Sequence, residues 1–196
     1  MRPRTITTVV TPDYVPGMLV TTYTWLCWNE PPEEWVVIHE DTFDKSLLDF
    51  YPFRFIQVPV DYPEGPGRFR ACTFKFYGFK HGYQTYLDCD ILIHGDMSDL
   101  FQDNIIFNAM GRPSACAFST TKEPKLEDCG RYADQEAVEV LNLRMISLPM
   151  VHYAGDDKPW KHNGRIKHKV RQWKPIYEEA RRTLNYRRSV WTYKKH

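Results

Sequence analysis

The apolar positions of this chain fall into short runs separated by turn-like clusters, and their spacing predicts an alternation of strands and helices. TITTVV (5–10) is β-branched and ends at TPDY, the pattern of a strand running into a loop. PGMLVTTYTWLCWN (16–29) is long and apolar enough for a packed helix, with Pro16 near its first turn. EWVVIH (34–39) and RFIQVPV (54–60) predict two further strands, with a helix over DKSLLDFY (44–51) between them. Strand, helix, strand, helix, strand is the pattern of a parallel sheet covered by helices.

The second half is less regular. A Pro/Gly-rich loop (61–71) leads to CTFKFYGFKHGY (72–83), which predicts a short helix weakened or ended by Gly78 and Gly82. TYLDCDILI (85–93) predicts one buried strand placed centrally in the sheet. A helix is expected to open at SDLFQD (98–103), a strand at PSACAFST (113–120), and a helix at DQEAVEVLN (134–142). MISLPMVHYAG (145–155) reads as a strand ending in a Gly turn, and Pro175 as the opening of a final helix.

Composition narrows the class. With 196 residues, 42% hydrophobic and 15% aromatic, the chain has the size and content of one globular domain. No apolar run approaches the ~20 residues of a spanning helix, and MRPRTITTVV has no signal-peptide pattern, so a cytoplasmic setting is expected. The five cysteines are widely spaced without a CxxC pair, which argues for free thiols. The net charge of +1 hides an asymmetry. Residues 1–157 carry 13 Lys+Arg against 23 Asp+Glu, a balance of −10, and residues 158–196 carry 13 against 2, a balance of +11.

Asp88 and Asp90 raise the first chemical question, because two negative charges end an apolar run. In a strand they share one side while Cys89 takes the other. Two carboxylates held together repel, and one takes a proton unless a cation neutralises them. A hard divalent ion, Mg2+ or Mn2+, is one answer. A pair of solvated turn aspartates is the other, and the Asp-x-Asp spacing alone leaves them evenly matched. VHYAGDDKPW (151–160) adds His152, a neutral imidazole that could ligate a metal or sit satisfied in the core, and Lys158, a point charge suited to phosphate.

Four blocks in order carry a resemblance to a known family: VVTPDYVPGMLV (9–20), YLDCDILIHGDMSDLF (86–101), ADQEAVEVLN (133–142) and VHYAGDDKPW (151–160). Together they resemble glycosyltransferase family 8, the retaining GT-A enzymes that include glycogenin and bacterial lipopolysaccharide galactosyltransferases. The second block resembles the family's Asp-x-Asp strand with its acidic-Leu-Phe ending, and the fourth its His-x-x-Gly-x-x-Lys-Pro-Trp motif. The resemblance implies an α/β domain of GT-A type over 1–160, with a Rossmann-like, mostly parallel sheet flanked by helices, followed by a basic aromatic tail over 161–196.

By the same resemblance, Asp88, Asp90 and His152 match three metal ligands, usually for Mn2+, with Mg2+ the alternative. Lys158 and the Gly155 backbone match contacts to the diphosphate of a UDP-sugar donor. Thr11 and Asp13 fall where the family binds uracil and ribose, although Pro12 removes a backbone donor there. Lys75 matches, across a gap, a basic residue that touches the donor, with Arg70 its rival. Asp134 and Gln135 match the pair against the donor sugar, the latter beside the anomeric carbon. The family's Phe-Asn-(Ser/Ala)-Gly stretch is replaced by PSACAFSTTKE, so the acceptor is not legible.

The tail interleaves cations with Trp173, Tyr177, Tyr186, Trp191 and Tyr193. It fits a helix packing its aromatics on the domain, a peripheral anchor on an anionic membrane surface, or a nucleic-acid contact. The function implied is metal-dependent transfer of a hexose from a UDP-sugar with retention. A non-catalytic nucleotide-sugar-binding or regulatory module of the same fold is the competing reading.

Overall fold

The computed structural model describes residues 4–40, 42–62, 70–125, 134–153, 158–160 and 167–186. β1 (Thr5–Val9), α1 (Val15–Trp28), β2 (Glu34–His39) and β3 (Arg54–Gln57) build the first half. α2 (Arg70–Lys80), β4 (Thr85–Leu87), β5 (Ile91–Ile93), β6 (Ile105–Ala109) and β7 (Arg112–Ser119) follow. α3 (Asp134–Glu139), β8 (Arg144–Ile146), β9 (Met150–His152) and α4 (Lys167–Thr183) complete the fold.

Seven strands form one sheet in the order β3-β2-β1-β4-β7-β6-β8. Only β7 runs against the others, so the sheet is mostly parallel. Alternation along β2 shows how the two faces are filled. Trp35 and Val37 join one core with Trp25 of α1 and Trp173 and Tyr177 of α4, whereas Val36 and Ile38 join another with Phe74 and Phe76 of α2 and Ala137 and Val138 of α3. Each large apolar side chain buried this way stabilises by about 1.5–3 kcal/mol, and helices cover both faces as the sequence pattern predicts.

Several expectations fail for identifiable reasons. TYLDCDILI is not one strand: its first half is β4 of the main sheet, and its second half is β5, paired antiparallel with β9 in a separate two-stranded sheet. Two threonines of α1 capture that second half. The Thr21 hydroxyl donates to Ile91 O (2.8 Å) and accepts from Ile91 N (3.1 Å), and the Thr24 hydroxyl accepts from Ile93 N (3.2 Å). MISLPMVHYAG splits likewise into β8 and β9 around Pro149, which has no N–H to continue a ladder.

Gly78 does not end its helix. α2 passes through it because a Cβ there would meet Ile38 Cδ1 at 3.0 Å and Thr7 Cγ2 at 3.3 Å, so glycine lets the helix lie close on the sheet. The helix stops before Gly82, whose φ of +83° suits glycine. Pro175 lies inside α4 rather than at its start. The stacked rings of Trp173 and Tyr177, 4.7 Å apart, anchor the helix on both sides of the lost hydrogen bond. The helices expected over 44–51 and 98–103 shrink to single 3-10 turns at Lys45–Leu48 and Ser98–Phe101, and β6 was not anticipated. Among the described residues, no helix is long and apolar enough to cross a membrane.

Candidate metal centre

The break between β4 and β5 is where the two aspartates lie. Asp88 follows the last residue of β4 and donates its N–H to Cys116 O of β7 (2.7 Å), while Asp90 O accepts from Tyr153 N (3.0 Å) just past β9. The main sheet therefore fixes Asp88, and the small sheet fixes Asp90 together with His152. The register Ile91↔His152 brings the histidine across from the aspartates. α1 seals the other side: a Cβ on Gly17 would sit 2.6 Å from Cys89 O and 2.6 Å from the Trp160 ring.

One ligand atom from each of Asp88, Asp90 and His152 falls within 4.8 Å of the others. His152 Nε2 is 3.3 Å from Asp90 Oδ1 and 3.5 Å from Asp88 Oδ2. The second oxygen of each carboxylate goes to a lysine. Lys75 Nζ is 3.1 Å from Asp88 Oδ1, and Lys158 Nζ bonds Asp90 Oδ2. Both lysines are buried. Three cationic groups thus surround two carboxylates, which offsets the cost of removing them from water.

The titration behaviour follows. Burial alone pushes Asp90 up, but His152 and Lys158 outweigh it and hold the carboxyl at about 2. Burial pulls His152 down, yet its hydrogen bonds to Asp90 and Cys116 and the Asp90 charge push it up to about 11. Burial, with Asp90 and Asp88 adding to it, drives the Cys89 thiol well up, so Cys89 is no thiolate nucleophile.

The remaining residues predicted from the sequence divide. Lys158 also donates to Tyr153 O (2.6 Å) and lies 5.2 Å from the Tyr14 ring, and Trp160 Nε1 donates to Asp13 O (2.8 Å). The loop after β1, with Thr11 and Asp13, is therefore joined to the closing motif. Gln135 is turned onto β7: Oε1 accepts from Ala115 N (2.9 Å), and Nε2 donates to Pro113 O (2.8 Å) and Glu139 Oε1 (2.7 Å). Ala115 O in turn accepts from Lys75 (3.1 Å), so one residue of β7 links Gln135 to the lysine beside Asp88. Gly155 and the side chains of Arg70 and Asp134 lie outside the described residues, as do Trp191 and Tyr193.

Sequence reasoning missed Tyr86, whose hydroxyl donates to Asp88 Oδ1 (2.7 Å). The signal was present, since Tyr86 stands two residues before Asp88 and a strand puts such residues on one face. The tail aromatics Trp173, Tyr177 and Tyr186 are packed in the core, the first of the three readings. Tyr14, Trp160, Trp173 and Tyr177 form a continuous aromatic column from the site to α4.

By sequence the chain matches no protein-family profile and none of the curated proteins compared with it. By structure it is similar to the galactosyltransferase LgtC, solved with donor and acceptor sugar analogs, at a TM-score of 0.63 and 13% identity over 89% of this chain and 95% of that one. It is also similar to the glycosyltransferase GlyE of Streptococcus pneumoniae TIGR4, in its apo form, at a TM-score of 0.66 and 15% identity. That match takes in 94% of this chain but 62% of GlyE, so the chain spans under two thirds of that protein. The fold is that of these glycosyltransferases, an α/β GT-A fold whose central sheet is mostly parallel.

Proposed function

We propose that the protein is a metal-dependent, retaining glycosyltransferase that moves a hexose from a UDP-sugar to an acceptor of one of three classes, a glycan, a lipid-linked saccharide or a modified nucleic acid. The observation that carries this reading is the convergence of Asp88, Asp90 and His152 within 4.8 Å, in a chain with the fold of LgtC and GlyE.

The donor set fits a divalent cation. Two carboxylate oxygens and one imidazole suit Mn2+, with Mg2+ the harder alternative. When bound, such an ion acts as a Lewis acid on the donor diphosphate and offsets the charge of departing UDP. The chain's own residues do the rest. Lys158, with one N–H beyond those given to Asp90 and Tyr153 O, adds positive charge for the diphosphate, alongside the Gly155 backbone. Thr11 and Asp13 hold the nucleoside, and Lys75 adds a cation on the donor side. Asp134 accepts hydrogen bonds from sugar hydroxyls, and Gln135 lies against the sugar ring.

One observation favours the second reading, a nucleotide-sugar-binding module without turnover: the Gln135 amide is already occupied on β7 and Glu139. Calorimetry with UDP in the presence of Mn2+, followed by mass spectrometry of hydrolysis products from a panel of nucleotide-sugars, tests both. Metal-dependent binding with hydrolysis supports the enzyme, binding without it in the presence of a broad acceptor set supports the module, and absence of any nucleotide binding refutes both. For the basic tail we keep an anionic membrane surface or nucleic acid as partners, tested by heparin retention of the full chain in rising salt.

A further inference from the structure

Asp88 does not face the cluster with both oxygens free. Oδ1 accepts from the Tyr86 hydroxyl at 2.7 Å and lies 3.1 Å from the Lys75 ammonium, whereas Oδ2 lies 3.5 Å from His152. The two donors are themselves fixed. Tyr86 is 1% exposed and packs on Phe118 with ring centroids 5.6 Å apart. Lys75 donates to Ala115 O at 3.1 Å and stands 4.7 Å from the Tyr86 ring centroid. An oxygen that accepts from the Tyr86 hydroxyl and lies against the Lys75 ammonium is engaged on the protein side, and that ammonium repels a second cation. Asp90 follows the same rule, with Oδ2 on Lys158 and Oδ1 toward His152.

Cations differ in what they ask of a carboxylate. Ca2+ takes six to eight oxygens in loose geometry and often grips a carboxylate by both, whereas Mg2+ and Mn2+ keep an octahedron that one oxygen per carboxylate suits. Resting on the metal reading above, we propose that Tyr86 and Lys75 are positioning residues that hold Oδ1 of Asp88 out of the coordination sphere. Asp88 is thereby a one-oxygen ligand, and the site discriminates against Ca2+. Tyr86 acts on the cation only through Asp88.

The imidazole alone favours Mn2+ over Ca2+, so the informative quantity is the change in that preference when the clamp is opened. Tyr86→Phe keeps the buried ring and removes only the hydroxyl. Mn2+ affinity is measured on the full chain without nucleotide, by the loss of the free-ion electron paramagnetic resonance signal, and Ca2+ affinity by competition. The expected result is a wild-type preference for Mn2+ that shrinks about tenfold in Tyr86→Phe, the scale on which second-layer partners act. An unchanged ratio in a folded variant overturns the clamp and leaves the metal reading standing. Failure of the wild type to bind either ion overturns both. Should Tyr86→Phe not fold, Lys75→Gln opens the same oxygen and is read by the same ratio.

Discussion

Lys158 and Asp90 form an ion pair in which both side chains are almost wholly buried, 4% and 5% exposed. A buried pair of this kind adds little over an apolar pair, but removing one partner strands the other charge in a low-dielectric setting. It offsets the charge of one of the two carboxylates, and Lys75 stands against the other.

Replacing Lys158 by Met therefore has a signed outcome. Asp90 then keeps His152 as its one cationic partner, and the metal-free variant is expected to lose up to about 3 kcal/mol of stability, the low end of the cost of breaking a buried pair. Because a divalent cation neutralises the same carboxylate, added Mn2+ is expected to raise the unfolding temperature of Lys158→Met more than that of the wild type. Thermal unfolding of both proteins with Mn2+ or with a chelator measures this, and equal metal-induced shifts would contradict it. The same reasoning selects Asp90→Asn over Asp90→Ala for removing the metal ligand. Asn keeps a partner for Lys158, and metal-dependent donor hydrolysis is expected to vanish while the fold persists.

The pH dependence of the metal-free protein follows from the same groups. His152 is raised to about 11 against an ordinary 6.5, so its contribution is complete below about pH 6.5 and is lost as pH rises through 11. Asp90 is lowered to about 2 against 3.8, so its contribution is present above about pH 3.8 and is lost as pH falls through 2. At neutral pH His152 carries a proton that a metal must displace, and Mn2+ uptake is expected to release about one proton. Calorimetry in two buffers of different ionisation enthalpy counts it, and a proton number of zero would contradict a His152 that is protonated before the metal binds.

How far the sequence reveals this molecule depends on how local the deciding contacts are. β1, α1 and β2 were legible because each run packs on its neighbour in the chain. The break inside TYLDCDILI was not, because the hydroxyls that pull β5 away from β4 belong to Thr21 and Thr24, some 70 positions earlier. Threonines on a helix carry no mark of that task. β6 escaped because its turn to β7 uses Met110 (φ 51°) and Gly111 (φ 85°), and methionine is a rare residue in that backbone region. The metal ligands were readable as a motif, and Lys75 was found only across a gap. What the motif omitted is the division of labour at each carboxylate, one oxygen to His152 and one to a lysine, which only the fold sets.

Gly17 ties the first helix to this centre. A methyl group there would meet Cys89 O and the Trp160 ring, each at 2.6 Å. The backbone oxygen between the two aspartates cannot swing aside as a long side chain can. Gly17→Ala is expected to destabilise by about 1–3 kcal/mol, the range for overpacking, and to weaken Mn2+ binding because the Asp88–Asp90 segment must move. A variant with unchanged metal affinity would show that α1 does not hold that segment in place.

The described part of the basic tail belongs to the core, and its stability can be separated from its charge. Trp173 is 1% exposed, stacks on Tyr177, and reaches Trp160 with ring centroids 5.2 Å apart. Trp173→Ala leaves a cavity between α4 and the loop that carries Lys158, and is expected to cost about 3–5 kcal/mol. Arg182, by contrast, pairs with Glu179 in solvent, its side chain 77% exposed, and Arg182→Ala is expected to leave the unfolding temperature unchanged. Chemical denaturation of the two variants decides between a tail that is structural and one that is only a charged appendage. Because Trp160 lies two residues from Lys158, Trp173→Ala is also expected to weaken UDP binding in Mn2+, whereas Arg182→Ala is not.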